Sequence, residues 1–272
     1  GVGKTTFVRA LYLTLKRDIK DLELIVSPTG RGVFDENSIK NQLARAGNRE
    51  TIFFFDEAHY LKPQLQETLY EVMDNRKITV TKGGTKFVVE LPPITVIAAT
   101  TEPGKLLSPF ISRMNVIHFD NYSQEEIQGI IKLHKIKKGR ITQDAICLLS
   151  EMCKMNPRIA SKNLKRTVSW ANNKGISVIN EETLINAMKD WGVHKHGLES
   201  LDINYIQCLL QTNEPVGLDA ISNMLATDKK YIETTVEPYL IASGYLMKTR
   251  SGRMLTPLGV QEFTSMIQKG EM

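Results

Sequence analysis

An apolar run that ends in two acids, Ile52-Phe53-Phe54-Phe55-Asp56-Glu57, follows a glycine-lysine start, Gly1-Val2-Gly3-Lys4-Thr5-Thr6. The pair constrains the fold more than either part. A glycine loop ending in Gly-Lys-Thr aims backbone N–H groups and a lysine at phosphates. An apolar strand ending in two carboxylates sets a magnesium-side acid and a water-polarising acid next to them. Alone, the first is also a glycine-rich helix start and the second a solvated strand end. Together they specify NTP hydrolysis on a parallel sheet. The loop's usual first glycine and the strand that feeds the loop are absent from the chain, which therefore reads as a piece whose natural start lies upstream.

Alternation of helical and apolar stretches continues through the first 120 residues. Thr5 to Lys16 reads as a helix, and Leu22–Val26, Thr51–Phe55, Ile94–Ala99 and Val116–Phe119 as strands. Nearly continuous apolar runs suit parallel strands covered on both faces. One insert breaks the pattern. Lys77–Thr81 and Lys86–Glu90 flank Lys82-Gly83-Gly84-Thr85, a hairpin signature. Phe87 and Val89 share one face of its second strand, for hairpin packing or for docking another protein.

From Ser123 to about Asp190 the pattern is helical, with Asn156-Pro157 as an N-cap followed by proline at the first helical position. The last segment reads as helices over 201–210, 218–225 and 231–240, with Gly244 ending the third. A short hairpin follows, turning at Thr249–Arg253, and the whole is a winged-helix arrangement. The expected domains are thus 1–120, 121–195 and 196–272.

Charge follows these divisions. The chain carries +5 in all, distributed as +2, +6 and −3 over the three segments. The total permits an acidic partner without requiring one. No apolar run approaches the ~18–20 residues that span a bilayer. Cys147, Cys153 and Cys208 form no Cys-x-x-Cys pair and read as reduced thiols of a cytosolic protein.

Candidate site residues fall on loops and element ends. Lys4 reaches phosphates and Thr5 ligates magnesium. A hydroxyl of Ala98-Ala99-Thr100-Thr101, at the end of the strand beside Asp56-Glu57, holds the attacking water or a phosphate, or else caps a turn. Arg113 stabilises transition-state charge on a neighbouring subunit, or makes a surface ion pair. Arg158 lies in a helix first turn, unfavourable for the dipole unless an anion is near. Lys248, Arg250 and Arg253 crowd the wing turn, for phosphate contact or for binding protein.

With all three segments in place, the chain resembles the RuvB family of AAA+ branch-migration motors. The resemblance rests on Gly3-Lys4-Thr5-Thr6, Phe55-Asp56-Glu57-Ala58-His59, Leu91-Pro92-Pro93, Ala99-Thr100-Thr101, Ser108-Pro109, Pro157-Arg158-Ile159-Ala160, His196-Gly197-Leu198, Pro215-Val216-Gly217-Leu218, Glu237-Pro238-Tyr239-Leu240-Ile241 and Gly252-Arg253. It implies an α/β AAA+ P-loop domain lacking its first strand, a small helical lid and a winged helix. It further implies ATP and Mg2+ as ligands, held by Gly1, Gly3, Lys4, Thr5, Thr6 and Arg158, with Thr5 and Asp56 at the metal. Asp56, Glu57, the sensor Thr101 and the trans arginine Arg113 would carry catalysis. Lys248, Arg250, Arg253 and Lys229 would contact double-stranded DNA at a four-way junction. Phe87 and Val89 would dock a RuvA-like protein, with a RuvC-like resolvase in the same complex. The assembly would be a homo-hexameric ring in the bacterial cytoplasm.

The chain departs from the family pattern at Ile111 beside the finger, Glu102-Pro103 after the sensor, Asp120, Ser251 and a shorter hairpin. Two other readings stand beside the motor: an AAA+ loader or scaffold with weak ATPase, and a transcription regulator using only its winged helix.

Overall fold

The structure, a computed structural model, describes residues 2–27, 40, 43, 49–82, 84–212 and 214–271. It divides into two compact units, one of Gly3–Phe119 and one of Asp120–Met272 together with Val2.

In the first unit a three-stranded parallel sheet runs β1-β2-β5, where β1 is Glu23–Ser27, β2 Thr51–Phe55 and β5 Ile94–Ala98. All five residues of β2 are buried. Successive side chains leave opposite faces, so Phe53 and Phe55 enter a core with Leu65, Leu69 and Phe110, while Phe54 meets Val8 and Ala99 on the other side. Each buried Phe contributes roughly 1.5–3 kcal/mol. That two-sided burial explains the uninterrupted apolar run.

Four expectations over 1–120 match closely: the helix Lys4–Leu15 and strands β1, β2 and β5. The fifth fails. Val116–Phe119 is neither helix nor strand, with Val116 59% and Ile117 66% exposed. β5 has one hydrogen-bonded neighbour, β2, and no ladder reaches 116–119 among the described residues. An apolar run without a ladder partner is not a strand. The hairpin forms as expected, with β3 Lys77–Lys82 pairing antiparallel to β4 Thr85–Glu90.

The second unit contains two apolar cores. One gathers Ile127, Ile131, Leu149, Leu164 and Leu184 from helices Gln124–Leu133, Gln143–Glu151, Pro157–Asn173 and Glu181–Asp190. A capping box of Ser123 and Glu126 opens the first helix, and the Asn156 side chain caps the third by accepting from Arg158 N at 2.9 Å. A two-residue parallel pair, β6 Arg140–Ile141 with β7 Val178–Ile179, sits in a stretch expected to be helical throughout.

The other core gathers Ile203, Tyr205, Ile206, Leu240, Phe263 and Met266. Helices Ser200–Leu210 and Leu218–Met224 match expectation. The third, expected over 231–240, is a helical run over 229–242 whose middle, Ile232–Val236, is wound as π-helix. Pro238 lies two residues beyond it, and a proline's missing N–H interrupts the regular ladder there. Gly244 closes the run at φ 72°, with Tyr245 N donating to Leu240 O at 2.8 Å. β8 Leu246–Lys248 and β9 Arg253–Leu255 form the wing hairpin. Gly252 is required there because a Cβ would lie 2.4 Å from Val216 O. A further helix, Pro257–Gln268, lay outside the expectation. Its signals were present: Thr256 caps it by accepting from Gly259 N at 3.1 Å, Pro257 occupies its first turn, and Phe263 and Met266 enter the core.

Candidate nucleotide site and basic wing

Gly3 takes the left-handed conformation, φ 86° and ψ 9°, and serves as N-cap of the helix Lys4–Leu15. Glycine reaches that region without a Cβ clash. The turn delivers Lys4 and Thr5 to the helix N-terminus, where backbone N–H groups are unsatisfied by the helix itself. Thr6 is exposed in the same turn. Gly1 lies outside the described residues.

The carboxyl ends of β2 and β5 meet this turn. The Thr5 hydroxyl donates to Asp56 Oδ2 at 2.7 Å. Lys4 Nζ donates to the Thr100 carbonyl at 2.5 Å. Thr101 donates to Glu57 Oε2 at 3.4 Å, a long contact. Two main-chain bonds, Ala99 N to Phe55 O at 2.9 Å and Ala58 N to Ala99 O at 2.8 Å, lock the two strand ends together. Glu57 itself is left-handed, φ 54° and ψ 50°. A non-glycine residue held there costs of order 1–3 kcal/mol and is typical of functional sites. Five expected residues therefore converge: Lys4, Thr5, Asp56, Glu57 and Thr101.

One residue that sequence reasoning left without a role joins them. The His59 side chain is enclosed, with Nδ1 3.2 Å from Thr100 Oγ1 and 3.3 Å from Glu57 Oε2. The signal for His59 was its place two residues after the second acid.

Arg113 has a different environment. Its Nε lies 2.8 Å from Asp74 Oδ2, its guanidinium donates to Pro109 O at 2.8 Å, and it stacks over the Tyr70 ring at 4.8 Å. The surface ion pair foreseen as its alternative is present. Arg158 is exposed in the other unit.

The wing differs most from expectation. Glu237 is fully buried, and Arg253 Nε donates to its Oε1 at 2.9 Å. Lys248 Nζ forms an ion pair with its Oε2 at 2.6 Å, and Tyr205 donates to Oε1 at 3.1 Å. Arg253 also meets Glu233 at 2.8 Å. Burial pushes the Glu237 carboxyl up, but Lys248 and Arg253 outweigh it and hold the acid below its ordinary value. Burial, reinforced by Glu237, pushes the Tyr205 phenol up. Lys248 and Arg253 were expected to face DNA, yet their charge is directed inward because an uncompensated buried carboxylate would cost far more. Lys229 pairs with Asp219. Arg250 is exposed at the turn, with no ion-pair partner among the described residues.

The hairpin also divides its expected residues. Phe87 is 51% exposed, but Val89 on the same strand face packs against the first unit's core. Val88, on the opposite face, is the most exposed of the three at 66%.

Comparison with known proteins bears on these features. Residues 1–119 match a family model described as the Holliday junction DNA helicase RuvB P-loop domain, and residues 195–264 one described as the RuvB C-terminal winged helix domain. The chain is 32% identical over 271 residues to a Holliday junction branch migration complex subunit RuvB of Fusobacterium nucleatum, covering 97% of this chain and 80% of that one. It is 31% identical over 266 residues to the Mycoplasma genitalium protein of the same name, covering 95% and 82%. The fold is similar to that of the Thermotoga maritima RuvB Holliday junction branch migration motor, with TM-score 0.78 and 24% identity over 96% of this chain and 83% of that one. Among the described residues no helix is long and apolar enough to cross a membrane.

Proposed function

The chain belongs to the RuvB family, and on that premise we propose that it hydrolyses ATP to drive branch migration of four-way DNA junctions. The observation that carries the reading is the convergence of Lys4, Thr5, Asp56, Glu57 and Thr101 at one helix N-terminus.

Lys4 and the N-terminal N–H groups receive the phosphates. The Thr5 hydroxyl and the Asp56 carboxylate are hard oxygen donors, fit for Mg2+ that keeps waters and phosphate oxygens as its other ligands. When bound, Mg2+ neutralises charge on the phosphate oxygens. Glu57 polarises the attacking water, and Thr101 orients it. Arg113 of a neighbouring copy stabilises charge that develops on the transferred phosphoryl group. Arg158 clamps the nucleotide and couples turnover to movement of a lid.

Around this chemistry we place three domains, 1–120, 121–195 and 196–272, supported by separate apolar cores. A homo-hexameric ring encircles duplex DNA in the bacterial cytoplasm. Arg250 carries the wing's phosphate contact, and Lys248, Arg253 and Lys229 are the further DNA-contacting positions. The exposed Phe87 and its hairpin dock a RuvA-like protein, and a RuvC-like resolvase joins the complex.

The test is ATP turnover without DNA, with linear duplex and with a four-way junction, each with and without a RuvA. Stimulation by duplex and a further gain from RuvA on the junction are expected, together with loss of turnover but retained ATP binding in Glu57→Gln. A flat, low rate unaffected by Glu57→Gln would sink the motor and favour a scaffold.

A further inference from the structure

The His59 side chain is 4% exposed, while its acidic neighbours Glu57 and Glu102 are 38% and 39% exposed. Both ring nitrogens face a carboxylate. Nδ1 lies 3.3 Å from Glu57 Oε2, and Nε2 lies 3.6 Å from Glu102 Oε1. Nδ1 is also 3.2 Å from Thr100 Oγ1, which accepts from Glu102 N at 3.0 Å. Glu102 is braced in turn by Lys105 at 2.6 Å. The Tyr60 ring covers the imidazole at 4.2 Å between centroids. A continuous chain of contacts thus runs Lys105–Glu102–His59–Glu57, and the same imidazole touches the residue whose carbonyl binds Lys4.

A water-polarising carboxylate works only when one oxygen is aimed at the water. The left-handed backbone of Glu57 sets where its side chain starts, but its remaining torsions need an external restraint. Thr101 is a weak one at 3.4 Å. The enclosed imidazole adds a second restraint, because the Tyr60 ring and the Thr100 hydroxyl fix its ring with Nδ1 at ion-pair distance from Glu57 and Nε2 facing Glu102. We infer that His59 is a positioning residue that aims Glu57, and that Glu102 holds the His59 ring from the far side. The inference rests on the hydrolytic reading above. It adds a function for Glu102, a departure of this chain from the family pattern.

The test compares the whole protein with its Glu57→Gln, His59→Gln, His59→Asn, Glu102→Gln and His59→Gln/Glu102→Gln variants. The readouts are steady-state ATP turnover and affinity for a non-hydrolysable ATP analogue. His59→Gln should lower kcat about tenfold while analogue affinity stays within about twofold, the pattern of a lost transition-state interaction. His59→Asn keeps an N–H near the Nδ1 position and should recover most of the rate. Glu102→Gln should lower kcat by a smaller factor. The double variant should be no slower than His59→Gln, because Glu102 acts through the ring.

Wild-type turnover in His59→Gln would overturn the inference, as would multiplying losses in the double variant. If Glu57→Gln also turned over normally, the hydrolytic reading itself would fall. If Glu57→Gln were dead while His59→Gln kept its rate, only the positioning role would fall. Should His59→Gln fail to fold, Glu102→Gln decides, since its side chain is 39% exposed: an unchanged kcat refutes the inference and a reduced one supports it.

Discussion

Truncating Glu237 to alanine should unhinge the wing. The carboxylate is fully buried and serves three partners: Arg253, Lys248 and Tyr205. Removing one member of a buried ion pair costs about 3–5 kcal/mol, because the other charge stays buried without compensation. Here Arg253 is 16% exposed and keeps Glu233, and Lys248 is 43% exposed, so the ionic part falls at the lower end. The buried Tyr205 hydroxyl, left without its acceptor, adds about 1–3 kcal/mol. Arg253 and Tyr205 share Oε1, so the two parts are not additive. We expect a loss of about 3–5 kcal/mol in total for Glu237→Ala. Glu237→Gln keeps an oxygen for Arg253 and Tyr205 and should lose about 1–2 kcal/mol.

The assay is hydrogen exchange read on peptides from the helix Ser200–Leu210 and from β8–β9, which reports local opening free energy without requiring two-state unfolding of the whole chain. pH gives a second signature. The folded Glu237 acid titrates below its ordinary value of 4.5. Its contribution is therefore complete above about pH 4.5 and disappears as pH falls through the lowered value. Glu237→Gln should flatten that acid limb. Opening of the wing by less than about 1 kcal/mol in Glu237→Ala, or an acid limb unchanged in Glu237→Gln, would refute the reasoning.

Three other outcomes follow from the same geometry. Arg250→Ala should weaken duplex binding evenly across sequences and lower the salt slope by about 1 without changing the melting temperature, whereas Arg253→Ala should lower the melting temperature. Asp74→Asn should cost about 1 kcal/mol or less, because its pair with Arg113 is partly exposed. The same change should raise ATP turnover at high protein concentration by freeing Arg113 for a neighbouring copy, and a fall would show that Asp74 positions the arginine instead. Cys153 is buried with its thiol donating to Leu149 O at 2.7 Å, and burial pushes it up to about 12. Only Cys147 and Cys208 should react with a thiol reagent at pH 8 in the native protein, and all three after denaturation.

Much of this was readable along the chain because its signals are local. Gly83-Gly84 between two β-rich runs fixed a hairpin, and Asn156-Pro157 fixed a helix start. Gly3 and Asp56-Glu57 marked the ends of elements where charged groups collect. The nucleotide residues were legible for the same reason: each occupies the first turn of a helix or the few residues just after a strand. The helix Pro257–Gln268 was equally local in its signals, and Thr256-Pro257 could have revealed it.

The sequence by itself determined most of the helices, the strands β1, β2 and β5 and which residues can hold phosphate, since these depend on conformational preference and on apolar period over a few neighbours. The partner of each charge was decided only by the tertiary structure. Arg113 meets Asp74 across 39 residues, Lys4 meets the Thr100 carbonyl across 96, and Arg253 turns inward to Glu237 rather than outward to solvent. Val116–Phe119 has the composition of a strand and lacks the neighbour that would make it one. Pairing energy depends on distance and on burial. Neither exists until the chain has folded.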